Sequence, residues 1–156
     1  MKSEQADIIC NEVADNAGFS PEVRTIFCEL IDCTCKTMGN QLSTIILYGS
    51  AAEGKMRATS DINLLFILNQ FTGETIDPLR ETLRLAQTMA NIKVMFIMRD
   101  EIAKAAEAFA MKFADIEHRH VVIFGEDLLK NLSITREAKI QRLQQVLLNL
   151  TIQFLF

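Results

Sequence analysis

Gly49-Ser50, ten intervening residues, and then Asp61-Ile62-Asn63 form the one spacing in this chain with an evident chemical use. Aspartate offers hard oxygen ligands to a divalent cation such as Mg²⁺, and in an extended segment the residue two places on points to the same side. Asp61 and Asn63 therefore share a face, while Ile62 turns into the opposite layer. A glycine ahead of a serine permits a sharp turn whose backbone N–H groups and hydroxyl can approach phosphate closely. The spacer carries Glu53, Lys55 and Arg57 around Gly54. Its two cations are within reach of triphosphate oxygens, or else belong to a solvated loop of mixed charge. The chemistry suggested is the handling of a phosphorylated nucleotide beside a metal ion.

Those residues need rigid elements to position them. The apolar runs Ile45–Tyr48 and Ile62–Leu68 have the length and boundaries of buried strands, the first beginning near Ser43, with Ile92–Met98 as a third and Val121–Phe124 as a fourth. After the turn at Gly125, the segment to Leu129 reads as a short helix. Upstream, a helix over Ser3–Ala17 ends at Gly18. A second starts at the Ser20-Pro21 cap and stops at Gly39-Asn40. Asn69 to Thr75 reads as a turn-rich connection, and Asp77-Pro78 as the start of a helix carrying Leu79, Leu83 and Ala86. From Asp100, alanines at 103, 105, 106, 108 and 110 predict a helix with Phe109, Phe113 and Ile116 along its apolar edge. The expected fold is α/β, a small mixed sheet flanked by helices.

With strands on both sides of the motif, the pattern resembles the nucleotidyltransferase superfamily that includes DNA polymerase beta, the aminoglycoside nucleotidyltransferases and the minimal nucleotidyltransferases. Its signature is G-S, about ten residues, then D-x-D. The resemblance spans roughly residues 40 to 130 and implies a nucleotidyltransferase fold over 1–134. It further implies Mg²⁺ as cofactor, ATP or another nucleoside triphosphate as substrate, and transfer of a nucleoside monophosphate to an acceptor. Carried over by residue, Gly49 forms the turn, Ser50 contacts phosphate with Lys55 and Arg57 nearby, and Asp61 is a metal ligand. Two letters depart from the pattern. Asn63 stands at the second aspartate, and by register Lys93 stands where a third carboxylate is expected. Both changes remove negative charge, so the resemblance implies a weak or lost metal site and impaired catalysis. If Lys93 faces Asp61, its ammonium replaces the metal as the partner of the carboxylate; otherwise it only begins a strand at the sheet edge. The alternative reading is a non-catalytic nucleotide-binding or protein-interaction module, antitoxin-like by analogy with family members that work beside a small helical toxin.

A chain of 156 residues, 49% hydrophobic and 23% charged, suits one globular domain with a sizeable core. Its net charge of −4 argues against a general nucleic-acid-binding surface. No apolar run approaches a membrane span and the start is no signal peptide, which together give a cytoplasmic expectation. Cys10, Cys28, Cys33 and Cys35 lack zinc-site spacing and read as free, half-buried thiols. His118 and His120, without an acidic partner in obvious register, read as surface residues leading into the fourth strand. The segment 135–156 is a helix capped at Thr135, with Ile140, Leu143, Leu147 and Leu150 on one stripe. From Val146 to Phe156 it becomes apolar all round. Such a helix needs a second surface, which predicts a homo-oligomer or a helical protein partner through 146–156.

Overall fold

A computed structural model describes the backbone of residues 2–155 and the side chains of residues 4–150. Two helices, α1 (Lys2–Ala17) and α2 (Pro21–Met38), lead into strand β1 (Leu42–Tyr48). β2 (Ile62–Leu68) follows, then α3 (Gly73–Ile76), α4 (Arg80–Ala90) and β3 (Ile92–Met98). The chain continues through α5 (Ile102–Ala108), α6 (Ala110–His118), β4 (His120–Gly125) and α7 (Arg136–Leu155). The four strands form one mixed sheet in the order β3-β2-β1-β4. β1 runs antiparallel to both neighbours, and β2 and β3 are parallel, as a crossover through α4 requires. The α/β class, a small mixed sheet flanked by helices, is the one expected.

Hydrophobic alternation across the pleat builds two layers. Ile45, Leu47, Leu64 and Phe66 face α1, α2 and α4, where Phe27, Leu30, Ile31 and Ala86 complete the larger core. Ile46, Leu65 and Ile67 face the other way, against Ile102 and Ala106 of α5 and Phe113 and Ile116 of α6. β2 is the innermost element, with Leu64 to Ile67 fully buried, because both its faces are covered. The α1–α2 hairpin turns at Gly18, which adopts a left-handed φ of 71°. Arg24 of α2 then pins the hairpin through hydrogen bonds to the Asn11 side chain and carbonyl and an ion pair with Asp15 at 2.8 Å.

The structure corrects several local expectations. The connection after β2 contains a helical turn, Gly73–Ile76, where a loop to Thr75 is expected; buried Thr75 is held by Thr72 and by Gln41 Oε1 at 2.8 Å. The alanine-rich stretch is two helices, broken at Phe109 (φ −120°, ψ 44°), so that Ile102 and Ala106 of one and Phe113 and Ile116 of the other can reach the same sheet face. Phe109 itself is exposed, not part of the apolar edge. Glu126 to Leu129 is not helical. The Asp127 carboxylate accepts hydrogen bonds from the Leu129 and Lys130 N–H groups and fixes a turn there. His120 is a largely covered residue in β4, not a surface histidine: Nδ1 lies 2.8 Å from the Glu117 carbonyl and Nε2 3.2 Å from Asp127, the acidic partner that chain order concealed. Cys10 is fully buried, and only Cys28, Cys33 and Cys35 are half-buried.

Candidate active site

The residues with chemical potential gather at one end of the sheet. Strand register sets His120, Tyr48, Asn63 and Lys93 side by side across β4, β1, β2 and β3. Direct cross-strand partners project to the same face, here the α5 and α6 side, where Tyr48 packs. Asp61 lies just before β2 at this end, and Ile62 between it and Asn63 is buried in the opposite layer. Gly49 leaves β1 beside them with φ 84°, a left-handed conformation that glycine adopts without penalty. Its N–H donates to the Arg119 carbonyl at 2.9 Å, and a side chain placed on it would sit 3.7 Å from Asn63 Nδ2. Ser50 follows, and its carbonyl accepts from Lys55 N–H at 2.9 Å, which folds the loop back on itself.

Asp61 is occupied by cationic and amide donors. Lys93 Nζ lies 2.5 Å from Oδ2 and Asn91 Nδ2 lies 2.6 Å from Oδ1. Asn91 is the left-handed residue (φ 52°) that ends α4, so the helix terminus and the start of β3 together present both donors. The Lys93 hydrogen bond, seconded by Asn91 and working against partial desolvation, holds the Asp61 carboxyl below the usual carboxylate range. A depressed carboxylate contributes stability that is present above its unfolded pKa and lost as pH falls through the folded value. Lys93→Met is therefore expected to raise the Asp61 pKa toward that of a free aspartate, followed by carboxyl NMR titration, and to weaken the acid dependence of stability. An unchanged titration would mean that the pair does not form in solution.

The donor set does not suit a divalent metal. Both Asp61 oxygens are engaged, Asn63 offers one amide oxygen in place of a carboxylate and turns its nitrogen toward the Asp61 carbonyl at 3.5 Å, and Lys93 brings a positive charge. Among the described residues no three His, Cys, Asp or Glu side chains converge.

The loop cations are placed less closely. Lys55 pairs with Glu53 at 3.5 Å, while the Arg57 backbone closes a turn with Ser60. Glu53 also meets Arg119 at 3.3 Å, and Arg119 pairs with Asp115 at 2.6 Å, tying the loop to the end of α6. Sequence reasoning gave no role to Asn91, Arg119 and Asp115, and placed Glu53 only as a charge in the loop. Only Asn91 carried a signal, as an asparagine between a helical pattern and a strand. Two clefts lie elsewhere: one of about 640 Å³ between α5 and α7, and one of about 990 Å³ along β4 and α1.

This is the architecture of an α/β domain with a polar cluster at one end of a mixed sheet. No family model matches the chain, and no curated protein matches it. Among solved structures it is similar to a crystal structure of a toxin-antitoxin with AMP-PNP, at TM-score 0.46 and 13% identity, over 82% of this chain and 98% of that one. At that level the likeness says nothing of what this chain binds or does.

Proposed function

We propose that this chain is a nucleotidyltransferase-like domain that has exchanged its metal site for an ion pair and acts as a non-catalytic interaction module. The observation that carries this reading is Lys93 Nζ on Asp61 Oδ2 at 2.5 Å, directly across from Asn63 in the strand register. Nucleotidyl transfer in the superfamily it resembles depends on carboxylates concentrating negative charge around Mg²⁺. Here one position is a neutral amide and another a lysine, so the cluster is neutralised from within. Gly49, Ser50, Lys55 and Arg57 keep the composition of a phosphate-facing turn, which leaves weak, metal-independent binding of ATP or another triphosphate as the residual activity of this end of the sheet.

The interaction role is supported by α7. Thr135 Oγ1 caps it through the Ala138 N–H at 3.2 Å, and it packs on α6 while leaving Ile140, Leu143, Val146, Leu148 and Leu150 substantially exposed. The side chains of residues 151–156, the rest of the 146–156 segment, lie outside the described residues. Covering several such groups, at roughly 1.5–3 kcal/mol each, favours association with a second copy or a helical partner. No described helix is long and apolar enough to cross a membrane.

Two measurements test the reading. Incubation with ATP and Mg²⁺ is expected to release no pyrophosphate, and turnover by the natural chain would end the non-catalytic assignment. Light scattering is expected to show self-association, or association with a helical partner, that is lost in Leu143→Glu with Leu150→Glu. A monomer with no partner, indifferent to those substitutions, would remove α7 from the proposal.

A further inference from the structure

Cys10 and Cys28 lie in the α1–α2 layer, away from the polar cluster at the end of the sheet. They lie 18 residues apart on different helices, yet Cys10 Sγ sits 2.7 Å from Cys28 Sγ. Non-bonded sulfurs ordinarily keep a separation well beyond that, and a disulfide needs only about 2.05 Å. The two helices are already held in register by Arg24 of α2, which grips Asn11 and Asp15 on either side of the turn that follows Cys10. We propose that Cys10 and Cys28 are a redox pair that peroxide closes to a disulfide, stapling α1 to α2 behind the loop that carries Lys55 and Arg57.

The chemistry assigns the two sulfurs different parts. Cys10 is fully buried, and burial first, then the neighbouring Cys28, pushes its thiol far above the ordinary range. Cys28 is only half-buried and meets the oxidant. Its thiolate attacks one oxygen of hydrogen peroxide; the O–O bond breaks, hydroxide leaves and takes the proton that Cys28 gave up, and Cys28 becomes a sulfenic acid. The Cys10 sulfur then attacks the Cys28 sulfur. An S–S bond forms as the S–O bond breaks, and the hydroxyl departs with the Cys10 proton as a second water. One peroxide is reduced and two thiols are oxidised. Burial of the resolving sulfur prevents it from reacting with peroxide first.

The other two cysteines do not compete. Cys33 and Cys35 are two residues apart on one helix and point in different directions; Cys33 Sγ faces Thr82 and Thr37, and burial pushes the Cys35 thiol up to about 11. The staple also has a route to the candidate site. A side chain on Gly54 would lie 2.8 Å from the Asn16 carbonyl, so the last turn of α1 rests directly on the backbone of the 51–60 loop. Fixing α1 fixes one wall of that loop.

The test is oxidation of the full chain with hydrogen peroxide, alkylation of remaining thiols, and peptide mapping without reduction. Expected are the loss of two of the four alkylatable thiols, an intact-mass decrease of about 2 Da, a linked peptide joining Cys10 and Cys28, and full reversal by dithiothreitol. Cys33→Ser with Cys35→Ser should oxidise like the natural chain, and Cys28→Ser should keep its three remaining thiols alkylatable. Persistence of all four thiols, sulfinic acid on Cys28 with Cys10 still alkylatable, or linkage through Cys33 or Cys35 would overturn the pair. Hydrogen exchange over residues 51–60 should slow on oxidation, and unchanged exchange would overturn the coupling to the loop.

Discussion

Substituting aspartate at both Asn63 and Lys93 is expected to create a divalent-metal site where the natural chain has an ion pair. Strand register places both positions beside one another on one face of the sheet, with Asp61 already at hydrogen-bonding distance from the Lys93 head. Asn63→Asp supplies a second carboxylate, and Lys93→Asp replaces the competing ammonium with a third. Asp61 then loses its main charge partner and becomes free to ligate. Because affinity in oxygen-ligand sites follows the count of ligand charges, the gain over the natural chain should be on the order of a hundredfold or more for Mn²⁺ by calorimetry. Single substitutions should do less: Asn63→Asp leaves Lys93 on Asp61, and Lys93→Asp leaves an amide in the cluster. A flat titration in the double variant, with its fold intact, would show that the three positions do not converge. Tight Mn²⁺ binding by the natural chain would contradict the ion-pair assignment itself.

Phe66→Ala should cost the fold about 3–5 kcal/mol, read from the urea midpoint at constant slope. Phe66 lies in β2, the innermost strand, with none of its surface exposed, and its ring meets Phe96 of β3 edge-to-face at 5.4 Å between centroids and an interplanar angle of 88°. Truncation removes buried area, leaves a cavity that strands on both sides prevent from collapsing, and forfeits the ring contact. The same strand carries Asn63 and follows Asp61, so the platform of the candidate site loosens with the core. A cost below about 1 kcal/mol would mean that β2 is not enclosed as described.

Local pattern was sufficient for much of this molecule. Ile45–Tyr48, Ile62–Leu68 and Ile92–Met98 are mostly apolar runs of strand length with turn residues at their boundaries, which reads as strands although periodicity alone leaves a buried helix open. The Ser20-Pro21 start, the Gly18 and Gly39 stops and the Thr135 cap were readable because each satisfies backbone groups or a left-handed turn within a few residues of itself. The pairing of Asp61 with Lys93 was legible as one of two possibilities, since a lysine opening a strand can equally face water.

What the sequence by itself determined, then, was the set of elements and the residue types at the end of the sheet: Gly49 for the turn, Asp61 without a second aspartate, Lys93 at the head of a strand. Tertiary structure decided which of these meet. Parallel pairing of β2 with β3 put Lys93 opposite Asn63, and the left-handed end of α4 delivered Asn91 to the same carboxylate. It also brought Asp127 to His120, Arg119 to Glu53 and Cys28 to Cys10, and it broke the alanine-rich helix at Phe109 so that two short helices could cover one sheet face. The reason is range. Caps, turns and apolar runs are specified by groups a few residues apart. Contacts between residues brought together from separate elements arise only from the packing of the whole core, which a single local segment does not encode.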